Sequence, residues 1–312
     1  MEIMQKQSKE LKKTTRLKNL LIPGKPLMCP GAYDALSAMV IEKVGFSAAQ
    51  VTGFGLAGSL LGLPDVGIFS LTQMVDATRN ICRSVSIPVM TDGDTGFGNA
   101  VNTYYAVKLF EEAGAAGINL EDQVFPKRCG HMEGKMVIPM EEMTGKIEAA
   151  VAARNDSDFI INARTDAGTL YGIDEAIRRG KAYAKAGADM IFLEAPKIDN
   201  LDDIKRAGEE IGIPISIGIV LGGKAPVLSY EEYCRLGLAR LSFPVAPLMA
   251  AMHGLEEALK LLAAKKGFTG EDARHYMAFQ DYLKFVGLPQ IREMEKKYLP
   301  GDEVIARYER KQ

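Results

Sequence analysis

The sequence has no tryptophan, three histidines and four cysteines among its 312 residues. It also lacks an apolar run near the length of about 18 residues that a membrane helix needs. The cysteines, Cys29, Cys82, Cys129 and Cys234, lie far apart without a CxxC pair. This spacing argues against structural zinc and predicts reduced thiols in a cytoplasmic protein. The N-terminal segment has no apolar core and no small-residue cleavage site, so we expect no secretory signal.

An excess of charge of one sign is also missing. Lys and Arg total 38, Asp and Glu total 40, and the formal net charge is −2. A nearly neutral chain does not bind nucleic acid through bulk electrostatics, so we expect a small-molecule partner and neither nucleic acid nor membrane. The length suits one large domain, because single α/β barrels commonly reach about 250 residues.

Short apolar runs alternate along the chain with segments of helical periodicity. The eight runs are Leu27–Cys29, Ala49–Thr52, Pro88–Thr91, Gly117–Leu120, Phe159–Ala163, Met190–Leu193, Ile215–Ile219 and Leu241–Phe243. Glycine follows several of the predicted helices, at Gly45, Gly114, Gly187, Gly212 and Gly237, where it is typical of a helix end. An eightfold βα repeat predicts an α/β fold of the (β/α)₈ TIM-barrel type, and the alternative is an open doubly wound sheet.

The segment after Gly267 departs from this repeat. Thr269 and Asp272 form a capping-box pattern before a predicted long helix, and a second helix is predicted to start near Pro289. These helices follow the eighth strand and its helix, so they are extra to a minimal barrel. We predict a single barrel domain over residues 1–312, with an N-terminal helical arm (1–24) and a C-terminal helical extension (267–312) that packs on a partner subunit.

The residues at the ends of the apolar runs lie where a barrel forms its active site. They are Thr52, Gly53, Phe54, Asp92, Asp94, Glu121, Asp122, Arg164, Asp166 and Glu194. So many carboxylates must share a cation or repel one another, and oxygen ligands suit Mg²⁺ or Mn²⁺. Asp92 and Asp94 alternate along a predicted strand, so both are expected to face the barrel mouth. The alternative for this pair is a glycine-rich turn in which Asp makes local hydrogen bonds.

The segment Gly53–Gly58 matches the GxGxxG pattern of nicotinamide dehydrogenases, with Asp76 at about the expected distance. In a dinucleotide-binding domain this motif normally follows the first strand. Here a complete βα unit precedes it, and no later catalytic His/Asp pair appears. The dehydrogenase is therefore the alternative interpretation from a different enzyme class.

The loop Lys127–His131 reads KRCGH and places Cys129 among three basic residues. Nearby cations lower the pKa of a thiol, so we expect a tendency toward the thiolate. Gly130 allows the loop to bend as a lid. The alternative is a solvated basic loop with an incidental cysteine, which is uncommon because cysteine prefers burial.

Taken together, these motifs resemble the isocitrate lyase/phosphoenolpyruvate mutase superfamily. The motifs are PGAYDALSA, TGFGLAGSLLGLPD, TDGDTGFGN, EDQVFPKRCGH, ARTDA and FLEAP, and the resemblance runs from about Leu27 through the tail. The KRCGH loop is similar to that of the lyase branch, whereas the phosphonate mutases and hydrolases have a gating loop without this cysteine and histidine. The resemblance implies a barrel whose eighth helix is exchanged between subunits, in a homotetramer of such dimers.

The resemblance also implies roles for individual residues. Asp92 would bind Mg²⁺ directly, Asp94 and Glu121 would act through waters, and Asp65 would flank the metal. Backbone amides of Thr52, Gly53 and Phe54 would hold a substrate carboxylate, Arg164 the α-oxy-acid end, and Glu194 would form a polar wall. Cys129 would be the mobile acid/base, supported by Lys127, Arg128, Gly130 and His131, and Tyr33 would stabilise an alkoxide.

The region after the seventh run bears on the substrate. Gly218 stands where relatives carry Asn, and Val220 and Leu221 replace polar positions, so a third carboxylate would meet aliphatic side chains unless a cation such as Lys224 helped. We predict a lyase that splits alkyl-substituted malates into a 2-oxo acid and a monocarboxylate. The alternatives are cleavage of 2-methylisocitrate, hydrolysis of oxaloacetate, a phosphonate mutase, and a catalytically silent metabolite-binding homologue.

Overall fold

A computed structural model describes residues 11–194, 201–225, 227–299, 301 and 307. Within these residues eight parallel strands form a closed barrel in chain order, with β8 paired to β1. The strands are β1 (Leu27–Ala32), β2 (Ala49–Val51), β3 (Val89–Asp92), β4 (Gly117–Glu121), β5 (Ile160–Thr165), β6 (Met190–Leu193), β7 (Ile215–Gly218) and β8 (Arg240–Phe243). The (β/α)₈ prediction is confirmed, and the open-sheet alternative is wrong.

Helices follow the strands around the barrel. In the described residues they are α1 (Lys13–Leu20), α2 (Ala35–Lys43), α3 (Gly53–Leu56), α4 (Leu71–Ser84), α5 (Ala100–Glu112), α6 (Met140–Ala153), α7 (Ala167–Tyr171), α8 (Ile173–Lys185), α9 (Asp202–Ile211), α10 (Tyr230–Arg235), α11 (Ala246–Lys265), α12 (Phe279–Phe285) and α13 (Leu288–Tyr298). A π-helical turn covers Ala57–Leu61, and a 3₁₀ helix covers Gly270–His275. None of the described helices is long and apolar enough to cross a membrane.

Local sequence signals explain where several helices begin and end. Capping boxes start α2, α4, α5 and α10, through the pairs Asp34/Ser37, Ser70/Gln73, Asn99/Asn102 and Ser229/Glu232. Each pair satisfies backbone N–H groups that a helix start leaves without partners. The five glycines predicted to follow helices all have positive φ, between 72° and 101°. That prediction is confirmed, because a left-handed residue ends a helix most easily at glycine.

Helix α1 belongs to the barrel floor. Leu17 is fully buried and packs with Leu21, Leu27, Met90 and Met190 at the N-terminal end of the strands. The α1 hydroxyls of Thr14 and Thr15 also donate hydrogen bonds to Asp156 and Asp158. Part of the segment that was predicted as an N-terminal arm (1–24) therefore packs against the N-terminal end of the barrel and closes it. Residues 1–10 of that segment lie outside the described residues.

The C-terminal region differs from its sequence prediction in one element. We predicted one long helix from Asp272, but the chain forms the 3₁₀ helix Gly270–His275, becomes extended at Tyr276 (φ −130°, ψ 145°), and re-enters a helix only at Phe279. The Thr269/Asp272 capping box is confirmed, and α13 carries proline in its first turn as predicted. The chain divides into two compact units, Met1–Ala250 and Ala251–Gln312.

Gly31 offers a test of how tightly the barrel is closed. A Cβ at this position would lie 2.1 Å from the carbonyl oxygen of Pro244, which is backbone and cannot swing aside. We expect Gly31→Ala to destabilise the protein by about 2–3 kcal/mol, because overpacking a closed core forces backbone shifts. Thermal denaturation should show a melting temperature lower by roughly 5–10 °C. The matched control is Gly145→Ala in α6, where nothing lies within 4 Å of the new Cβ, and equal melting temperatures for both variants would contradict the prediction.

Candidate active site

The carboxyl ends of the strands bring acidic side chains around one buried lysine. Lys127 Nζ lies 2.7 Å from Asp65 Oδ1 and 2.9 Å from Asp94 Oδ1, and all three side chains are almost completely buried. Glu121 belongs to the same cluster, because its charge raises the pKa of Lys127 together with those of Asp94 and Asp65. Its Oε2 is 3.0 Å from Arg164 Nη1. Lys127 is therefore one cation shared by several carboxylates.

The cluster still carries more negative charge than its cations neutralise. The pKa of Asp94 is raised to about 6, mainly by burial and also by the charges of Asp92 and Asp65, against the opposing effect of Lys127. Burial likewise raises the pKa of Glu121 well above its usual value, and its Oε1 is buried without a hydrogen-bond partner in the described structure. Buried carboxylates in surplus, with only oxygen ligands nearby, fit a hard divalent cation.

Asp92 is held at the mouth by two backbone groups. The N–H of Gly53 donates to Asp92 Oδ2 and the N–H of Asp94 donates to Asp92 Oδ1, both at 3.1 Å. In the described residues, no three Asp, Glu, His or Cys side chains form a ready-made metal cage. That arrangement suits a cation that keeps most of its waters and takes few protein ligands.

The predicted placement of Asp94 on a strand is wrong. β3 ends at Asp92, and Asp94 has a left-handed backbone with φ of 44°. The glycine-rich turn therefore describes the local backbone, as the alternative interpretation proposed. The turn nevertheless returns the Asp94 carboxylate to the buried cluster beside Lys127, so the two acids remain neighbours for a different structural reason.

Arg164 lies at the end of β5 among three carboxylates. Its guanidinium is 3.0 Å from Glu121, 3.0 Å from Asp166 and 3.3 Å from Glu194. Burial alone would lower the pKa of Arg164, but these three charges raise it well above its usual value. The side chain is thus a permanent, pre-oriented cation that lines the pocket.

The KRCGH loop is docked over the pocket. The N–H of Cys129 donates to the carbonyl oxygen of Asp65 at 3.1 Å, and Lys135 Nζ donates to the carbonyl oxygen of Gly130. Gly130 packs so closely on Glu194 that an added Cβ would lie 2.1 Å from Oε1. Cys129, Gly130 and His131 all line the pocket in this closed arrangement.

The predicted tendency of Cys129 toward the thiolate is wrong. Burial raises the pKa of the Cys129 thiol to about 11, and the charges of Asp65 and Glu194 add to this effect. The basic neighbours in sequence are engaged elsewhere, since Lys127 binds Asp65 and Asp94 while Arg128 donates to the carbonyl oxygen of Glu133. At neutral pH the thiol keeps its proton, which makes it a potential acid toward a carbanion.

His131, the last residue of the KRCGH loop, is neutral. Burial lowers its pKa to about 4, together with the charges of Arg164, Lys135 and Lys224. Its Nδ1 accepts the N–H of Lys224 at 3.0 Å, so the ring proton lies on Nε2, which is 3.5 Å from Glu194 Oε1. The tautomer therefore follows from a backbone contact of the loop after β7.

Several predicted site residues have other positions. Tyr33 does not line the pocket among the described residues, and Gly53 uses its N–H on Asp92, whereas Thr52 and Phe54 do line it. Thr52 caps the short helix α3, so the GxGxxG segment belongs to a closed barrel rather than to a dinucleotide-binding sheet.

The loop after β7 also differs from its sequence prediction. Lys224 Nζ binds Glu133 at 2.5 Å, away from the pocket. The expectation that Leu221 faces a substrate carboxylate is wrong, because this side chain is 78% exposed.

Other pocket residues were missed by the sequence reasoning. Phe192 on β6 forms an apolar wall whose ring lies 5.6 Å from the Arg164 guanidinium, and Gly218 on β7 leaves space for that ring. Gln50 and Ser242 line the pocket from β2 and β8. Strand alternation could have identified them, because Gln50 precedes Thr52 by two residues. Lys135 is buried, and its Nζ lies 2.8 Å from Asp166 Oδ1. No comparable signal in the sequence indicated this contact.

Comparisons with known proteins agree with this geometry. The family model described as phosphoenolpyruvate phosphomutase matches residues 17–263. The chain is 42% identical over 287 residues to 2,3-dimethylmalate lyase of Eubacterium barkeri, covering 92% of this chain and 98% of that protein. A solved structure of oxaloacetate acetylhydrolase with 3,3-difluorooxalacetate matches with a TM-score of 0.85 at 31% identity, covering 93% and 98% of the two chains. Phosphonopyruvate hydrolase in complex with oxalate and Mg²⁺ matches with a TM-score of 0.83 at 31% identity, covering 93% and 100%.

Proposed function

Because the chain belongs to the phosphoenolpyruvate phosphomutase family, in the isocitrate lyase/phosphoenolpyruvate mutase superfamily, we propose that it is a Mg²⁺-dependent carbon–carbon lyase. Its substrate would be a 2,3-dialkylmalate such as 2,3-dimethylmalate, which splits into pyruvate and a monocarboxylate. The observation that carries this proposal is the protonated Cys129 thiol on a loop docked over a pocket with fixed positive charge. The 42% identity to 2,3-dimethylmalate lyase supports the same substrate class.

The pocket walls favour a malate with alkyl groups over a tricarboxylate. Phe192, Val220 and Val245 line the pocket with apolar surface. Lys224, the cation that was considered for a third carboxylate, binds Glu133 instead. A third carboxylate against this wall would lose its hydration without gaining a partner, at a cost of at least a few kcal/mol. Alkyl substituents on a malate would gain from the same burial.

Mg²⁺ fits the acidic cluster, with Mn²⁺ as an alternative. We propose that Asp92 binds the metal directly and that Asp94 and Glu121 hold its waters, while Asp65 stands at the edge of the site. The surplus of buried negative charge around Lys127 supports this assignment. When bound, the metal would supply positive charge that acidifies the substrate hydroxyl and polarises the carbonyl that forms.

The side chains of this chain would then act on the substrate as follows. Arg164 donates to the oxygen atoms of the 2-hydroxy-acid end, and the amides around Thr52 and Phe54 hold its carboxylate. The hydroxyl proton would pass to a carboxylate that lines the pocket, for which Glu194 is placed beside Arg164. The C2–O bond then becomes a carbonyl as the C2–C3 bond breaks. The electron pair of that bond moves onto C3 and its attached carboxylate, where fixed donors stabilise it.

Cys129 would complete the reaction by giving the S–H proton to C3. Lys127 anchors the thiol loop to the acidic cluster, while Gly130 permits its close approach to Glu194. Neutral His131 donates toward Glu194, whose negative charge helps the thiol of Cys129 to keep its proton. The closed loop also excludes water from the intermediate.

We further propose that the protein forms a homotetramer from dimers that exchange their eighth helix. An apolar groove of about 480 Å³ lies outside β7 and β8, lined by residues such as Ile219, Leu241 and Phe243. Among the described residues of α11, which follows β8, none is buried. An apolar groove and a helix of which no described residue is buried both fit an exchange with a second copy. The four free cysteines fit a reducing compartment such as the cytoplasm.

The proposed function is tested by measuring release of 2-oxo acid in the presence of Mg²⁺. The substrates to compare are 2,3-dimethylmalate, 2-methylisocitrate, isocitrate and oxaloacetate. We expect cleavage of 2,3-dimethylmalate with a kcat/KM at least about 100-fold above that for either tricarboxylate, as an uncompensated buried carboxylate would give.

Other outcomes would overturn the substrate assignment. Preference for 2-methylisocitrate would mean that the pocket contains a partner for a third carboxylate. Acetate release from oxaloacetate, without cleavage of any dialkylmalate, would instead identify a hydrolase that uses the same site. Binding of oxalate without turnover of any of the four acids would indicate a metabolite-binding protein.

A further inference from the structure

A glutamine in the pocket is oriented by a buried arginine. Gln50 on β2 lines the pocket and is 3% exposed, and Arg240 on β8 is fully buried. Arg240 Nη2 donates a hydrogen bond to Gln50 Oε1. A guanidinium has only donors, so the amide of Gln50 must turn its oxygen toward Arg240. The amide nitrogen Nε2, with two N–H groups, is then the atom that Gln50 offers to the pocket.

A second donor, Ser242, lines the same pocket. Ser242 follows Arg240 by two residues and therefore shares its face of β8. Its Oγ is buried without a hydrogen-bond partner in the described residues, and the residue lines the pocket. Strand β1 lies between β2 and β8. It places Gly31, which has no side chain, opposite Gln50, and the small side chain of Cys29 opposite Ser242.

The surroundings of these two donors are positively charged. Arg240 forms no ion pair within the part of the chain that the structure describes, and its Nε and Nη1 have no acceptor there. Its guanidinium lies 5.9 Å from the Phe192 ring. A buried charge that lacks a counterion favours an anionic group nearby, because the surrounding medium screens the attraction only weakly.

We propose that Gln50 Nε2 and Ser242 Oγ bind the second carboxylate of the substrate, the one attached to C3, with Arg240 as the positioning residue. This inference rests on the proposed function for the identity of the substrate as a 2-hydroxy dicarboxylate. When the C2–C3 bond breaks, its electron pair spreads onto this carboxylate before C3 takes the proton from Cys129. The two donors therefore contribute to binding and also stabilise the charge that develops.

Equilibrium binding of malate and lactate separates this subsite from the rest of the pocket, since lactate lacks the second carboxylate. We expect Gln50→Met to weaken malate binding about 10-fold and Ser242→Ala to weaken it about 5-fold, with lactate binding unchanged in both. Gln50→Glu should weaken malate binding at least about 100-fold, because a carboxylate then faces the ligand. The matched control is Gln290→Met, an exposed glutamine on α13 that should leave both affinities unaltered.

The role of Arg240 is tested by Arg240→Lys and Arg240→Met, with the fold of each variant checked by circular dichroism. Lysine can still donate to Gln50, so Arg240→Lys should bind malate within about 3-fold of the wild type, whereas Arg240→Met should resemble Gln50→Met. If Arg240→Met unfolds, Gln50→Met and Ser242→Ala still test whether this subsite binds the second carboxylate. Wild-type malate binding in both Gln50→Met and Ser242→Ala would overturn the subsite. If the wild type cleaves no dialkylmalate but the malate-specific losses appear, the subsite stands and the proposed function fails.

Discussion

Replacing Cys129 with serine is expected to lower the rate of carbon–carbon cleavage by about 10³-fold, within the range for loss of a general acid. Serine fits the space of the cysteine, but its hydroxyl is a much weaker acid than a thiol. The binding of Mg²⁺ and of malate should remain close to that of the wild type, since neither depends on the proton of Cys129. Single-turnover release of pyruvate from 2,3-dimethylmalate measures the chemical step directly.

The matched control for this variant is Cys234→Ser in α10, which alters a partly exposed cysteine outside the pocket lining. It should keep the wild-type rate. A Cys129→Ser rate equal to that of the control would disprove the role of the thiol as the acid. The proposed metal site would then be the only part of the mechanism that stands. The pH profile adds an independent readout, because an acid must keep its proton. With a pKa of about 11, Cys129 should cause no loss of rate between about pH 7 and about pH 9, whereas a thiol of ordinary pKa near 8.5 would.

The barrel was predictable from the sequence because its signals are local and repeated. Each strand is a short apolar run, and glycines such as Gly45 and Gly114 mark helix ends through a backbone conformation that other residues rarely adopt. Strand ends then identify the rim, since all parallel strands of a barrel finish on one side. The sequence therefore predicted Asp92, Glu121, Arg164 and Glu194 at this rim, and the structure has each of them at or directly after the end of a strand.

The protonation state of Cys129 was not predictable in the same way. In the sequence the thiol stands beside Lys127 and Arg128, which suggested a thiolate. In the structure both side chains extend to other partners, and burial is the largest effect on the thiol. A pKa depends on neighbours in space and on hydration, whereas the sequence shows only neighbours along the chain.

Side-chain direction explains the remaining differences. Val220 and Leu221 are adjacent, yet Val220 lines the pocket while Leu221 lines the outer groove. Arg240 was not predicted as a site residue, because it precedes the predicted eighth run Leu241–Phe243 by one residue. Alternation gives Arg240 the same face of β8 as Ser242, so the error in the strand boundary omitted an inward side chain without changing its direction.

Replacing Asp92 with asparagine is expected to weaken Mg²⁺ binding at least about 100-fold and to reduce turnover by about 10³-fold at a Mg²⁺ concentration that saturates the wild type. Asparagine keeps the size of the side chain and one acceptor oxygen, so it can still accept from the N–H of Gly53 or from that of Asp94, but not from both. The loss of Mg²⁺ affinity should come mainly from the missing charge. Calorimetric titration with Mg²⁺ alone measures the affinity without any activity assay.

The control for this variant is Asp76→Asn on the exposed face of α4, where the carboxylate pairs only with Arg79 among the described residues. It should leave Mg²⁺ affinity and turnover as in the wild type. Removing one negative charge from a crowded buried cluster relieves repulsion, so Asp92→Asn should not lower the melting temperature of the metal-free protein. Wild-type Mg²⁺ affinity in Asp92→Asn would show that the metal lies elsewhere. A fall in metal-free stability to match the lost activity would instead make Asp92 a structural anchor of the Gly53 turn.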